Sequence, residues 1–160
     1  MTSGEPAGAG PRVRVLAPVG GRVLALRDVP DPVFAAELVG PGVAINPART
    51  GRVCATSPVA GTVVKLHPHA FVVQATGGAA VLVHLGIDTV QLAGAGFELL
   101  VPEGAQVGAG AGIVSWNPAE VAAGGRSAIC PVVALDAAAL VDVRKAGDVA
   151  AGDPLFTWLR

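Results

Sequence analysis

Cysteine is scarce in this chain: Cys54 and Cys130 are the two, they form no CxxC pair, and a disulfide framework is excluded. Reduced, buried packing thiols are expected, and with them a cytoplasmic compartment. An excess of charge is missing as well, with eleven basic against twelve acidic side chains. Neither nucleic acid nor an anionic membrane surface has an electrostatic reason to bind. Long apolar runs are absent too. Leu66 to Ile87 carries no formal charge, yet its His, Gln, Thr and Gly residues argue against a membrane span, so no direct membrane insertion is expected. Met1 to Pro11 has neither the basic start nor the apolar stretch of a secretory signal, and residues 1–11 read as a disordered tail.

What is present is apolar and finely punctuated. At 160 residues with 52% hydrophobic content, the chain has material for one domain, residues 12–160, with a substantial core. Twenty-two glycines and 13 prolines break Val-, Leu- and Ile-rich runs into short pieces. That pattern predicts an all-β fold, an antiparallel β-sandwich with little helix. Helix is limited to a turn or two in the Ala-containing stretches Asp31–Glu37, Pro118–Ala123 and Leu135–Val141.

Two internal echoes refine the architecture. Ala17-Pro18-Val19-Gly20-Gly21-Arg22-Val23 returns forty positions later as Ser57-Pro58-Val59-Ala60-Gly61-Thr62-Val63. Val101 to Trp116 matches Val143 to Trp158 at an offset of forty-two, with Val107, Gly110 and Trp116 answering to Val149, Gly152 and Trp158. A duplicated hybrid motif of the barrel-sandwich type is the expected arrangement, with both tryptophans in the core.

All three histidines fall in one window that contains no Lys or Arg, at His67-Pro68-His69 and at His84. His84 ends the run Val81-Leu82-Val83-His84 and precedes Gly86, so its imidazole is expected at a strand end beside a thinly covered backbone. Pairing of adjacent strands would bring His69, in a Pro-containing turn, alongside it. A neutral imidazole attacks phosphorus with its own lone pair, and a second one can donate to the transferred oxygens. Residue types and spacing alone leave core or metal-site histidines equally open.

Several motifs in order settle on one family. The chain resembles the glucose-type IIA component of the bacterial sugar phosphotransferase system through His84-Leu-Gly-Ile-Asp-Thr-Val-Gln-Leu92, Gly94-Ala-Gly-Phe97 and His69-Ala-Phe71. Asp28-Val-Pro-Asp-Pro-Val-Phe34 and Val39-Gly-Pro-Gly-Val-Ala-Ile45 add to the match, which runs from about Val13 to Trp158. The resemblance implies that His84 accepts a phosphoryl group from the phosphocarrier HPr and passes it to a cysteine of a sugar permease's IIB domain, glucose- or N-acetylglucosamine-type. It implies His69 as the stabilising histidine and Asp31 and Asp88 as carboxylates meeting an arginine of HPr. It also implies an apolar docking face of Val33, Phe34, Leu38, Val39, Phe71, Leu82 and Val90. No cofactor would be required. A regulatory zinc held by His69 and His84 with a partner's carboxylate would be compatible, as would regulatory protein clients. The chain departs from the pattern in the short turn before His69, where members often carry a Thr and this chain has His67-Pro68, and at Leu85, where some carry Phe. Met1 and the full motif set point to a free-standing protein.

Two other functions fit parts of the sequence. His67-Pro-His69 and His84-Leu-Gly-Ile-Asp88 are H-x-H and H-x-x-x-D spacings suited to a zinc hydrolase of related architecture, though in the reverse of the order found in lysostaphin-type peptidases. A lipoyl or biotin carrier would need a modified lysine at a hairpin tip, and only Lys65 and Lys145 are available.

Overall fold

A computed structural model describes residues 12–159. The tail expected at residues 1–11 lies outside them. Strands β1 (Arg12–Leu16), β2 (Gly21–Ala25), β3 (Gly42–Pro47), β4 (Val53–Thr56) and β5 (Gly61–His67) open the chain. They are followed by β6 (Ala70–Gln74), β7 (Ala80–His84), β8 (Glu98–Leu99), β9 (Gln106–Val107) and β10 (Gly112–Trp116). The last four are β11 (Cys130–Ala134), β12 (Leu140–Val141), β13 (Asp148–Val149) and β14 (Pro154–Leu159). All pairings are antiparallel. An eight-stranded sheet in the order β13-β2-β3-β11-β7-β6-β5-β9 is accompanied by two three-stranded sheets, β1-β14-β12 and β4-β10-β8. The all-β expectation holds.

The repeat in the sequence is a repeat in the hydrogen bonding. Leu16 N–H donates to the Pro58 carbonyl at 2.9 Å, and Thr56 N–H returns the bond to Pro18 at 2.9 Å, so the two Pro-Val turns pair with each other. Ala17 N–H donates to Asp153 while Ser57 N–H donates to Ala111, both at 2.8 Å; the donors are forty residues apart and the acceptors forty-two. Strands β1 and β14 shift register between Val15 and Leu16, and β10 and β4 shift at the equivalent place, between Gly112 and Val114. Trp116 and Trp158 are both buried, as the echo required.

Apolar residues cover both faces of the large sheet. Its inner face contributes Val63, Phe71, Val73, Val81, Val83 and Val132 to the main core, together with Trp116 and Phe156 from the smaller sheets. On its outer face a second cluster gathers Leu26, Val29 and Phe34 over Ala44, Val133 and Ile87, with Val39 and Leu82 at its edge. The segment that supplies this lid turns into the short helix α1 (Pro32–Ala35), where the Asp31 carboxylate accepts from Val33 N–H at 2.9 Å and Phe34 N–H at 3.3 Å, with Pro32 at the first position. A second helix, α2 (Pro118–Ala123), is capped in the same way by Asn117.

Two expectations fail in this layer. Leu135–Val141 is not helical: Leu135 N–H donates to the Ala80 carbonyl, Asp136 adopts φ 58°, and Leu140–Val141 pairs with β14. Backbone groups that a helix would have used internally are taken by neighbouring strands. Cys54 is exposed rather than buried, whereas Cys130 is fully enclosed and its thiol is pushed up to about 12 by burial.

Candidate functional site

Three strands place the histidines. In the β5-β6-β7 ladder His67 pairs with Ala70, and Ala70 pairs with His84. Directly opposed residues share a face, so His67 and His84 flank Ala70 on the outer side, while Leu66, Phe71 and Val83 oppose one another on the core side. The two-residue turn Pro68-His69 then carries His69 over the small Ala70 side chain. Its ring centroid lies 5.3 Å from that of His84, at 63°, in an edge-to-face arrangement. Leu85 N–H donates to the His69 carbonyl at 2.7 Å and ties the turn to the residue after His84.

His84 is held from a second side by Phe34, whose ring meets the imidazole edge-on at 5.4 Å. Its Nδ1 lies 2.5 Å from the Gly86 carbonyl oxygen. A carbonyl only accepts, so the proton resides on Nδ1 and the lone pair on Nε2. Gly86 is needed for this: its φ is +82°, and a Cβ there would stand 2.7 Å from Thr89 Cγ2 and 2.9 Å from the Ser127 carbonyl oxygen. The role of this carbonyl was not read from the sequence, although a Gly two residues after a strand-end His was its only signal.

Burial holds the His84 pKa below its ordinary 6.5, against smaller opposing contributions from the Gly86 bond, Asp31 and Asp88. His69 is lowered as well, by burial first, then by His84 and His67. Both rings are therefore neutral at neutral pH. Because each folded value lies below the unfolded one, the unfolded chain takes up protons first on acidification. The contribution of these groups to stability is full above 6.5 and declines as pH falls through that value toward the folded pKa. An NMR titration of the imidazole protons is expected to give midpoints below 6.5 for both residues, and a midpoint above 6.5 for His84 would contradict the burial account.

The implied rim divides into surface and core. Val33 (43%), Leu38 (71%) and Val90 (58%) are exposed. Val39 and Leu82 are half-buried at the edge of the outer cluster. Phe71 does not belong to a docking face, since at 1% exposure it points into the main core. Phe34 is also largely enclosed, reaching the site through its contact with His84 rather than through open surface. Asp88 is exposed, with φ 60°. Asp31 is occupied in capping α1, a role that the Asp-Pro pair signals in sequence.

The hydrolase spacings do not converge: among the described residues, no group of three or more His, Cys, Asp or Glu side chains is placed to hold a metal. Lys65 sits within β5 rather than at a hairpin tip, which also removes it from a carrier role. Among the described residues, no helix is long and apolar enough to cross a membrane.

The model of the phosphoenolpyruvate-dependent sugar phosphotransferase system, EIIA 1, matches residues 13–140. The N-acetylglucosamine-specific EIICBA component of Escherichia coli is 43% identical over 147 residues, covering 89% of this chain but only 22% of that protein. A glucose-specific EIIA component of Staphylococcus aureus is 41% identical over 123 residues, covering 76% of this chain and 72% of that one. The solved glucose permease IIA from Mycoplasma capricolum superposes with a TM-score of 0.84 at 34% identity, over 92% of this chain and 96% of that one. This chain belongs to the EIIA 1 family of the phosphoenolpyruvate-dependent sugar phosphotransferase system.

Proposed function

We propose that this protein relays a phosphoryl group on His84, receiving it from phospho-HPr and delivering it to a cysteine of a IIB domain in a glucose- or N-acetylglucosamine-type sugar permease. The observation that carries the reading is an imidazole fixed as the Nδ1–H tautomer, with a second neutral imidazole 5.3 Å away, in a chain of the EIIA 1 family. In the first step the Nε2 lone pair of His84 forms a bond to phosphorus while the donor's N–P bond breaks and its electron pair returns to the donor imidazole. In the second, a partner thiolate forms the S–P bond and the N–P pair returns to Nε2. His69 donates to the phosphoryl oxygens in the second step, as the N–P bond breaks, and no organic cofactor or metal takes part.

The exposed trio Val33, Leu38 and Val90 supports docking by excluding water from the phosphohistidine, with Asp31 and Asp88 meeting a basic partner. The whole relay operates in the cytoplasm. The docking part is tested by Leu38→Glu and Val90→Glu. Each is expected to raise the Kd for HPr about tenfold by calorimetry, with the thermal midpoint unchanged because neither side chain is buried. Wild-type Kd in both variants would remove this surface from the interface. The relay itself is tested by following label from phosphoenolpyruvate, through enzyme I and HPr, into this chain and onward to a IIB domain.

A further inference from the structure

The third histidine has no part in the relay as described, yet it is built into the same face. His67 ends β5 opposite Ala70, and its ring lies nearly parallel to that of His69, with centroids 5.6 Å apart and planes inclined by 22°. The rings of His67, His69 and His84 thus form a row, stacked at one step and edge-on at the next.

The backbone beneath His67 is fixed. Leu66 N–H donates to Glu103 Oε1 at 3.0 Å, tying the end of β5 to the turn between β8 and β9. Pro68 fixes its own φ and faces the loop at Gly94, where a Cβ would meet its ring at an ordinary contact distance of 3.4 Å. His69, by contrast, is a turn residue only partly enclosed, with side-chain freedom to swing toward solvent. The flat His67 ring on one side and the His84 imidazole on the other leave it little choice of orientation.

We propose that His67 is a positioning residue of the phosphoryl site, a stacking platform that holds the His69 ring in the orientation needed to donate to a phosphoryl group on His84. The inference rests on the assignment of His84 as the acceptor. His67 makes and breaks no bond in either transfer step; it acts through His69. Offset stacking on a flat ring suits a neutral imidazole, which is the state that burial and the two flanking histidines impose on His69. A donor displaced by about 1 Å loses much of its effect on a transition state.

The test uses the full chain as wild type, His67→Ala and His67→Phe, with phospho-HPr as donor and a IIB domain as acceptor. His67 is exposed at a strand end, so all three are expected to fold with the same thermal midpoint. His67→Ala is expected to slow delivery to IIB about three- to tenfold at unchanged KM, and His67→Phe, which keeps a flat ring, is expected to restore most of the rate. In NMR spectra the His69 ring protons should lose their ring-current shift in the alanine variant and regain one in the phenylalanine variant. A wild-type rate in His67→Ala would overturn the proposal. So would His67→Phe as slow as His67→Ala, since stacking would then not be what His67 supplies. Failure of the wild type itself to take phosphate would instead refute the His84 assignment, which keeps the two failures distinct.

Discussion

Substitution of His84 by alanine is expected to abolish phosphate acceptance from phospho-HPr. The nucleophile in this account is a single nitrogen, and no neighbouring group can replace it. His69 lacks the carbonyl partner that fixes the proton on Nδ1 of His84, and it sits in a turn rather than against Phe34. Cys130 is enclosed, with a thiol pushed up to about 12 by burial, so it supplies no thiolate. The variant should still fold, because the half-buried ring contributes mainly its contacts to Phe34 and His69, worth about 1 kcal/mol each. Loss of labelling with an intact thermal transition would separate chemistry from stability. Undiminished labelling would place the acceptor elsewhere.

Substitution of His69 by alanine has a different expected result. Acceptance survives, because the Nε2 lone pair of His84 and its Gly86 anchor are untouched. Delivery to the IIB thiolate falls about 10²-fold, since one preorganised donor to the phosphoryl oxygens is gone as charge develops on them. The phosphorylated form should therefore accumulate. Single-turnover chase of labelled protein with a IIB domain checks this directly. A variant that delivers at the wild-type rate would remove His69 from the chemistry, and one that no longer accepts phosphate would show that the two histidines act together in the first step.

The sequence carried the repeat and the histidine pair clearly, for identifiable reasons. The Pro-Val turns impose fixed local geometry, so their forty-residue echo reappears as the reciprocal bonds between Leu16 and Pro58 and between Thr56 and Pro18. His69 and His84 were legible as neighbours because a short turn between apolar strands leaves few registers. Phe71 entered the docking face through the family resemblance alone, and the strand pattern could not correct it because the sheet is apolar on both faces. In Phe71-Val72-Val73, alternation cannot say which side meets the main core and which meets the outer cluster. Leu135–Val141 failed for a related reason, as alanine's helix propensity was overridden by pairing with β14 and by the bond from Leu135 to Ala80. The platform under His69 was invisible in sequence, since His67-Pro-His69 reads equally as ligand spacing until the ring planes are seen.

The most direct test of the central claim is intact-mass analysis of the chain after incubation with phosphoenolpyruvate, enzyme I and HPr, followed by acid treatment. The wild type should gain one phosphoryl group that acid removes, and His84→Ala should gain none. An acid-stable modification, or no gain in the presence of fully active HPr, would contradict a phosphohistidine relay at His84.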